Sequence, residues 1–275
     1  MLLGYVTNGL RDHRLDDALR LLAGHGYRAV GLTLDVGHLD PYRATPREVD
    51  AIAALCRELD LRVVIETGAR FLLDPQHKHE PTLMSRSAAD RARRIDFYAR
   101  AAAIGRDLGA EVLSFWAGVD RAPDVDSRAR LTEGVVRTCA AIRSAGLRPS
   151  FEPEPGMAIE TIAQFDALCR ELGGQAPALT LDVGHLFVTG EGDPVALCRA
   201  NAHRCAQVHL EDMRRGVHEH LPPGEGEVDF RAVLSALAAG GHVGPVCFEL
   251  SRSSHRAPEL VERCATLFRQ TGACS

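Results

Sequence analysis

No Cys-x-x-Cys pair occurs among the eight cysteines, at positions 56, 139, 169, 198, 205, 247, 264 and 274. A zinc knuckle is therefore disfavoured. Most of these thiols lie in helical patterns beside Leu and Ala, so they read as reduced groups of a cytoplasmic protein and not as a disulfide framework. Long hydrophobic runs are also missing. None approaches the roughly 18–20 residues of a membrane span. The start, Met1-Leu2-Leu3-Gly4-Tyr5-Val6, lacks a basic n-region and is too short for an h-region, so no secretory signal is expected. Excess positive charge is absent as well. The net charge of −5 argues against nucleic acid or an anionic membrane as the main partner. No low-complexity segment or Pro/Ser linker divides the 275 residues, and residues 1–275 read as one domain.

What is present is an alternation. Short apolar runs at Leu2–Val6, Ala29–Leu34, Arg62–Glu66, Glu111–Trp116, Arg148–Glu152, Ala178–Asp182, Cys205–Leu210 and Pro245–Leu250 read as strands. Amphipathic stretches with i, i+3, i+4 spacing lie between them, and Gly26, Gly109, Gly146 and Gly173 follow four of these as expected left-handed C-caps. Eight strands, each followed by a helix, predict an α/β fold, a (β/α)8 TIM barrel. A doubly wound sheet would carry a Gly-rich first turn, and no G-x-G-x-x-G follows the first strand. The longest connection, Thr67–Arg86, reads as a lid or binding loop.

In such a barrel the chemistry sits where strands end. The last four strands end with one acid or imidazole each: Glu152, Asp182, His209 and Glu249. Three converging carboxylates would repel one another, and a divalent cation removes the conflict. One imidazole with three carboxylates suits manganese, zinc, cobalt or magnesium, with manganese placed first. The bland alternative is a structural polar network. The hexapeptide Leu-Asp-Val-Gly-His-Leu occurs twice, as Leu34–Leu39 and Leu181–Leu186. Only the second copy falls within this run of strands. Asp35 and His38 of the first copy are expected across the barrel, as substrate or rim residues that do not bind the metal.

These residues resemble the xylose isomerase-like barrel superfamily of sugar-phosphate isomerases and epimerases, inosose dehydratases and endonuclease IV. Its marks appear here as Glu152-Pro153, Asp182–His185, Val208–Asp212, the loop Gly224-Glu225-Gly226-Glu227-Val228-Asp229, and Glu249. The likeness spans the chain and is strongest from Glu152 onward. It departs at strand two, where Gly31 replaces a frequent Glu. The resemblance implies that the four ligands hold one ion, which polarises a carbonyl. It also implies that Glu152 and Glu249 form a catalytic acid–base pair and that His185 binds a substrate hydroxyl. The expected reaction is isomerisation or epimerisation of a sugar, a sugar phosphate or a related polyol ketone. A metal-dependent dehydratase and an endonuclease IV-like zinc phosphoester hydrolase are the alternatives.

His218-Glu219-His220 adds a second set. By analogy with endonuclease IV, His185, His218 and His220 are a candidate second metal triad. His220 is also a candidate substrate contact, as are His79, Trp116, Glu154 and Arg214. Arg214, Arg215, Arg252 and His255 lie near strand ends and are candidates for a phosphate or carboxylate. The stretch Arg91-Ala92-Arg93-Arg94 is read as the wet face of a helix. The expected partner is a small carbohydrate, with a homo-oligomer allowed.

Overall fold

A computed structural model describes residues 1–272; Cys274 lies outside the described residues. Seven strands come first: β1 (Leu2–Val6), β2 (Ala29–Thr33), β3 (Arg62–Glu66), β4 (Val112–Phe115), β5 (Arg148–Phe151), β6 (Ala178–Asp182) and β7 (Cys205–Leu210). A hairpin of β8 (Asp212–Arg214) and β9 (Val217–Leu221) stands apart from the sheet, and β10 (Pro245–Phe248) completes it. The closed order is β1-β10-β7-β6-β5-β4-β3-β2, with every pair parallel. The TIM barrel read from the sequence is the fold found. The four C-terminal strands carrying the candidate ligands are neighbours in it.

Around the sheet lie α1 (Leu15–Gly24), α2 (Pro46–Glu58), α3 (Ala88–Leu108), α4 (Ser127–Ser144), α5 (Ile162–Leu172), α6 (Val183–Thr189), α7 (Pro194–Asn201), α8 (Phe230–Ala239) and α9 (Ala257–Gln270). Their starts are written locally. Thr45 and Glu48 form a capping box with Pro46 in the first turn of α2, and Thr161 with Gln164 repeats the device on α5. Gly109 caps α3 in the left-handed conformation, with φ of 72°. Two elements escaped the sequence pattern. Helix α6 is too short to show a period, and the β8–β9 hairpin is masked by its polar residues. No helix among the described residues is long and apolar enough to cross a membrane.

Strand alternation stacks the barrel interior in layers. At the bottom Val6, Val64, Val112, Ala206 and Cys247 form an apolar plug with Ala178 against it. Above the plug the interior turns polar. Thr180 Oγ1 lies 2.9 Å from Ser114 Oγ and 2.7 Å from Ser150 Oγ, all three buried. The strand ends then bring in Glu66, Trp116, Glu152, Asp182, His209 and Glu249. The expected strands ran one or two residues too far at Trp116, Glu152 and Leu250, because the ladder stops where the site begins.

One expectation is overturned on α3. Arg94 is not on a wet face: it is fully buried. Its Nε donates to the Pro81 carbonyl at 2.8 Å and its Nη2 to the His79 carbonyl at 2.7 Å. Its guanidinium also stacks 4.5 Å from the centre of the Trp116 ring. Charge count alone missed this, because Arg93 is exposed and Arg94 is one step round the helix. The buried Arg94 fastens the loop after β3 to α3.

Candidate metal centre at the barrel mouth

Glu152, Asp182, His209 and Glu249 each place one ligand atom within 4.8 Å of the others. His209 Nδ1 lies 2.9 Å from Glu152 Oε1, 3.1 Å from Glu249 Oε2 and 3.9 Å from Asp182 Oδ2. Its other nitrogen, Nε2, lies 3.0 Å from Glu66 Oε1, which also accepts from Gln207 Nε2 at 2.6 Å. The ring is thus held from behind, with Nδ1 aimed at the carboxylates.

Asp182 supplies the test of fit. Its Oδ1 accepts from the His185 backbone N–H at 2.9 Å, capping α6. Its Oδ2 is buried without a hydrogen-bond partner. A buried carboxylate oxygen left without a partner is costly, and a cation among these four groups would satisfy it. The charges agree. Burial disfavours a charged His209, but Glu66, Glu152 and Glu249 more than offset this and hold its proton well above the usual range. Burial, partly countered by His209, pushes the Glu152 carboxyl up to about 8. Glu249 stays below the ordinary range: burial works against its charge, but His209, His220 and the Asn8 amide outweigh it. Oxygen donors with one imidazole nitrogen fit a borderline-to-hard divalent cation.

A second group stands beside the first. Glu154, His185 and His218 also bring ligand atoms within 4.8 Å of one another. His185 Nδ1 donates to the Pro153 carbonyl at 3.0 Å, while Nε2 lies 3.5 Å from Asp182 Oδ2 and 3.7 Å from Glu154 Oε2. The expected triad included His220 instead of Glu154. His220 turns its Nδ1 to the Glu249 carbonyl at 3.2 Å, and its ring centre is 6.5 Å from that of His185. Both His218 and His220 come from β9, whose alternation points them the same way.

The mouth is a cavity of about 290 Å³ whose walls include Trp116, His79, Glu154, His185 and His220. His79 Nδ1 donates to the Gly68 carbonyl at 2.7 Å, and its ring meets Trp116 edge-on at 5.2 Å. Arg214 is placed elsewhere, 3.7 Å from Glu219 and 3.2 Å from the Glu225 carbonyl, outside this lining. The glycine loop is tied to the strand before it. Asp212 accepts from Gly224 N–H at 2.7 Å and from Val228 N–H at 2.9 Å, and a side chain at Gly226 would meet Asp212 Oδ1 at 2.4 Å. Those glycines serve a packed turn.

Three residues were passed over by the sequence reading. Glu66 ends β3 as Asp182 ends β6, with Glu152 directly after β5, so the strand-end rule itself pointed to Glu66. Gln207 is two residues before His209 and shares its face. Asn8 Nδ2 donates to Glu249 Oε1 at 2.7 Å. Gly31 on strand two borders this wall: a Cβ there would lie 3.1 Å from Val6 Cγ2 and in ordinary contact with Glu66, 3.5 Å from its Oε1. The carboxylate on this wall comes from β3, one strand over.

Residues 19–270 match the family model described as the xylose isomerase-like TIM barrel. The chain belongs to that family. Among family relatives, L-ribulose-5-phosphate 3-epimerase UlaE of Shigella flexneri serotype 5b (strain 8401) is 24% identical over 255 residues, covering 90% of this chain and 87% of that protein. An inosose dehydratase of Lacticaseibacillus casei is 25% identical over 149 residues, covering 48% of this chain and 50% of its own. The D-allulose 3-epimerase of Methylomonas sp., solved in complex with D-allulose, superposes with a TM-score of 0.77 at 19% identity, over 98% of this chain and 97% of that one. That last likeness concerns the barrel alone.

Proposed function

We propose that this chain is a divalent-metal-dependent epimerase or isomerase of a ketose or related polyol ketone. The observation that carries the reading is the convergence of Glu152, Asp182 and Glu249 on His209 Nδ1, with Asp182 Oδ2 buried and unpartnered. Glu152, Asp182, His209 and Glu249 would hold the cation, which when bound supplies Lewis-acid polarisation of a carbonyl. The chain's own residues do the rest. Glu152 and Glu249 flank the same small volume, so one carboxylate takes the proton from the carbon beside the carbonyl and the other delivers one. Positioned proton transfer of this kind contributes about 10²–10⁴-fold. His185, with Nδ1–H fixed by Pro153, turns Nε2 toward a substrate hydroxyl. Trp116, pinned between Arg94 and His79, gives a flat wall for the sugar.

Ketoses incubated with the metal-loaded protein in D₂O test this. A 3-epimer or an aldose should appear by NMR, with deuterium at the carbon beside the carbonyl wherever the proton exchanges. If no ketose with metal restored changes configuration or carbonyl position, the reading fails. The half-length match to an inosose dehydratase favours a second outcome, loss of water from a cyclic polyol ketone, recognised by a product lighter by one water. A phosphoester hydrolase would need the second group, and metal analysis finding more than one ion per chain would favour it.

A further inference from the structure

The rim outside the metal centre has the opposite charge. An outer cavity of about 460 Å³ is lined by Arg11, Asp12, Arg70, Lys78, Arg252 and His255, and Arg70, Lys78 and Arg252 also line the inner mouth. They come from three loops: the one after β1, the long one after β3, and the one after β10. Three arginines and a lysine therefore share this cavity with one carboxylate.

None of these four cations has a carboxylate within 4.0 Å among the described residues. Arg252 alone makes a side-chain hydrogen bond, to the His218 carbonyl at 3.3 Å. Arginines elsewhere around the barrel top are used differently. Arg214, Arg215, Arg256 and Arg263 each lie within 4.0 Å of a glutamate. The unpaired set is crowded as well. Burial and then Arg11 push the Arg70 guanidinium down from its ordinary range, and burial, then Arg70, does the same to Lys78. Asp35 and Glu249 act on Arg70 and Glu154 on Lys78 only from beyond ion-pair distance, and cations gathered without a carboxylate in contact match an anion that arrives with the substrate.

We propose that this rim is a phosphate-ester subsite, in which Arg11, Arg70, Lys78 and Arg252 seat the terminal phosphate of a phosphorylated ketose whose carbonyl end reaches Glu152 and Glu249. The assignment rests on the epimerase reading for the reacting end only. A phosphate monoester is favoured over a sugar acid because its three terminal oxygens and near-double charge use several cations from separate loops, where a carboxylate uses one fork. The acidic inner mouth and basic outer rim would also orient such a substrate, phosphate outward.

The experiment has two arms. Inorganic phosphate is titrated calorimetrically into the full-length protein, into Glu249→Gln, and into the double variant Arg70→Met/Lys78→Met. Near-ultraviolet circular dichroism verifies each fold. Phosphate should bind the first two alike and the double variant about tenfold or more weakly. In the second arm kcat/KM is compared for a free ketopentose and its 5-phosphate; the phosphate should be preferred by at least about tenfold, and the double variant should lose that preference. No phosphate binding, or equal binding by the folded double variant, overturns the subsite. Epimerisation of free ketoses with no preference for the ester overturns the subsite and leaves the epimerase reading standing. Phosphate binding that depends on Arg70 and Lys78, with no ketose of either kind transformed, overturns the epimerase reading and leaves the subsite.

Discussion

Leu34–Leu39 and Leu181–Leu186 are the same six residues, and the identity extends back through Leu32-Thr33 and Leu179-Thr180. Yet they form different structures on opposite sides of the barrel, since β2 and β6 are four strands apart around the ring. The second copy starts α6, with Asp182 as its cap and His185 inside it. The first closes a tight turn, in which Asp35 and His38 exchange backbone hydrogen bonds at 3.3 and 3.0 Å. The residues C-terminal to each copy decide between them. After the second copy come Phe187 and Val188, which continue the helix. After the first come Asp40 and Pro41. A helix entering at Val36 would need an N–H at residue 41 for the Gly37 carbonyl, which proline lacks, and the residue before a proline is steered away from helical angles. Leu39 turns the chain instead, with φ of 54°.

The sharpest way to break the comparison is to remove the charge from each aspartate. Asp182→Asn keeps an oxygen to cap α6 but loses the anionic ligand. It should weaken divalent-metal affinity by more than about 100-fold, beyond what supporting residues cost. Asp35→Asn, whose Oδ1 only accepts from the Val36 N–H, should leave affinity within twofold of the parent, about 0.4 kcal/mol. Equal losses in a metal titration would mean that both copies bind the cation.

The first copy's wall is nevertheless not idle. Glu66 pairs with Thr33 in the sheet, and its carbonyl accepts from the Leu34 N–H at 3.2 Å. From there its carboxylate crosses the barrel to His209. Glu66→Gln should therefore weaken metal affinity by about 10–100-fold while the fold persists. An unchanged affinity would confine the centre to the second copy's half.

The barrel and its strand order were legible because they follow from period, and the gathering of Glu152, Asp182, His209 and Glu249 at one mouth because it follows from position at strand ends. Glu66 stood at a strand end and was overlooked, whereas Asn8 was not legible, because its partner lies 241 residues away and only closure of the barrel brings the two together. Arg94 was misread for the same reason: its two carbonyl partners belong to a loop whose path no local pattern dictates. The split between the hexapeptides was legible in principle, since Pro41 stands in the sequence.

The shared glycine separates the copies on stability. A Cβ on Gly184 would meet Glu211 Oε1 at 1.9 Å and Met213 Cε at 2.5 Å, and Glu211 is fully buried. Gly184→Ala should cost about 1–3 kcal/mol. Around Gly37 nothing lies within 4 Å, and its φ is not in the left-handed region. Gly37→Ala should change stability by less than about 0.5 kcal/mol. Denaturant midpoints for the two variants decide this, and a comparable loss at Gly37 would mean that the turn is packed by something outside the chain.

The smallest effect concerns the histidine of the first copy. His38 is 3% exposed, and its Nε2–H donates to the His13 carbonyl at 3.1 Å. Burial pushes its imidazole down from the ordinary 6.5, partly countered by that hydrogen bond and by Asp35. Proton uptake sets the sign. Below about pH 6.5 the unfolded chain takes up a proton that the folded chain still refuses, so the stability present above that point is lost as the pH falls. His38→Gln should therefore narrow the fall in melting temperature between about pH 7 and about pH 5. The measurement belongs in chelator-treated protein, so that release of the proposed cation at the second copy adds no pH dependence of its own. An unchanged slope in His38→Gln would place the acid sensitivity elsewhere and leave the first copy as a turn without a titrating role.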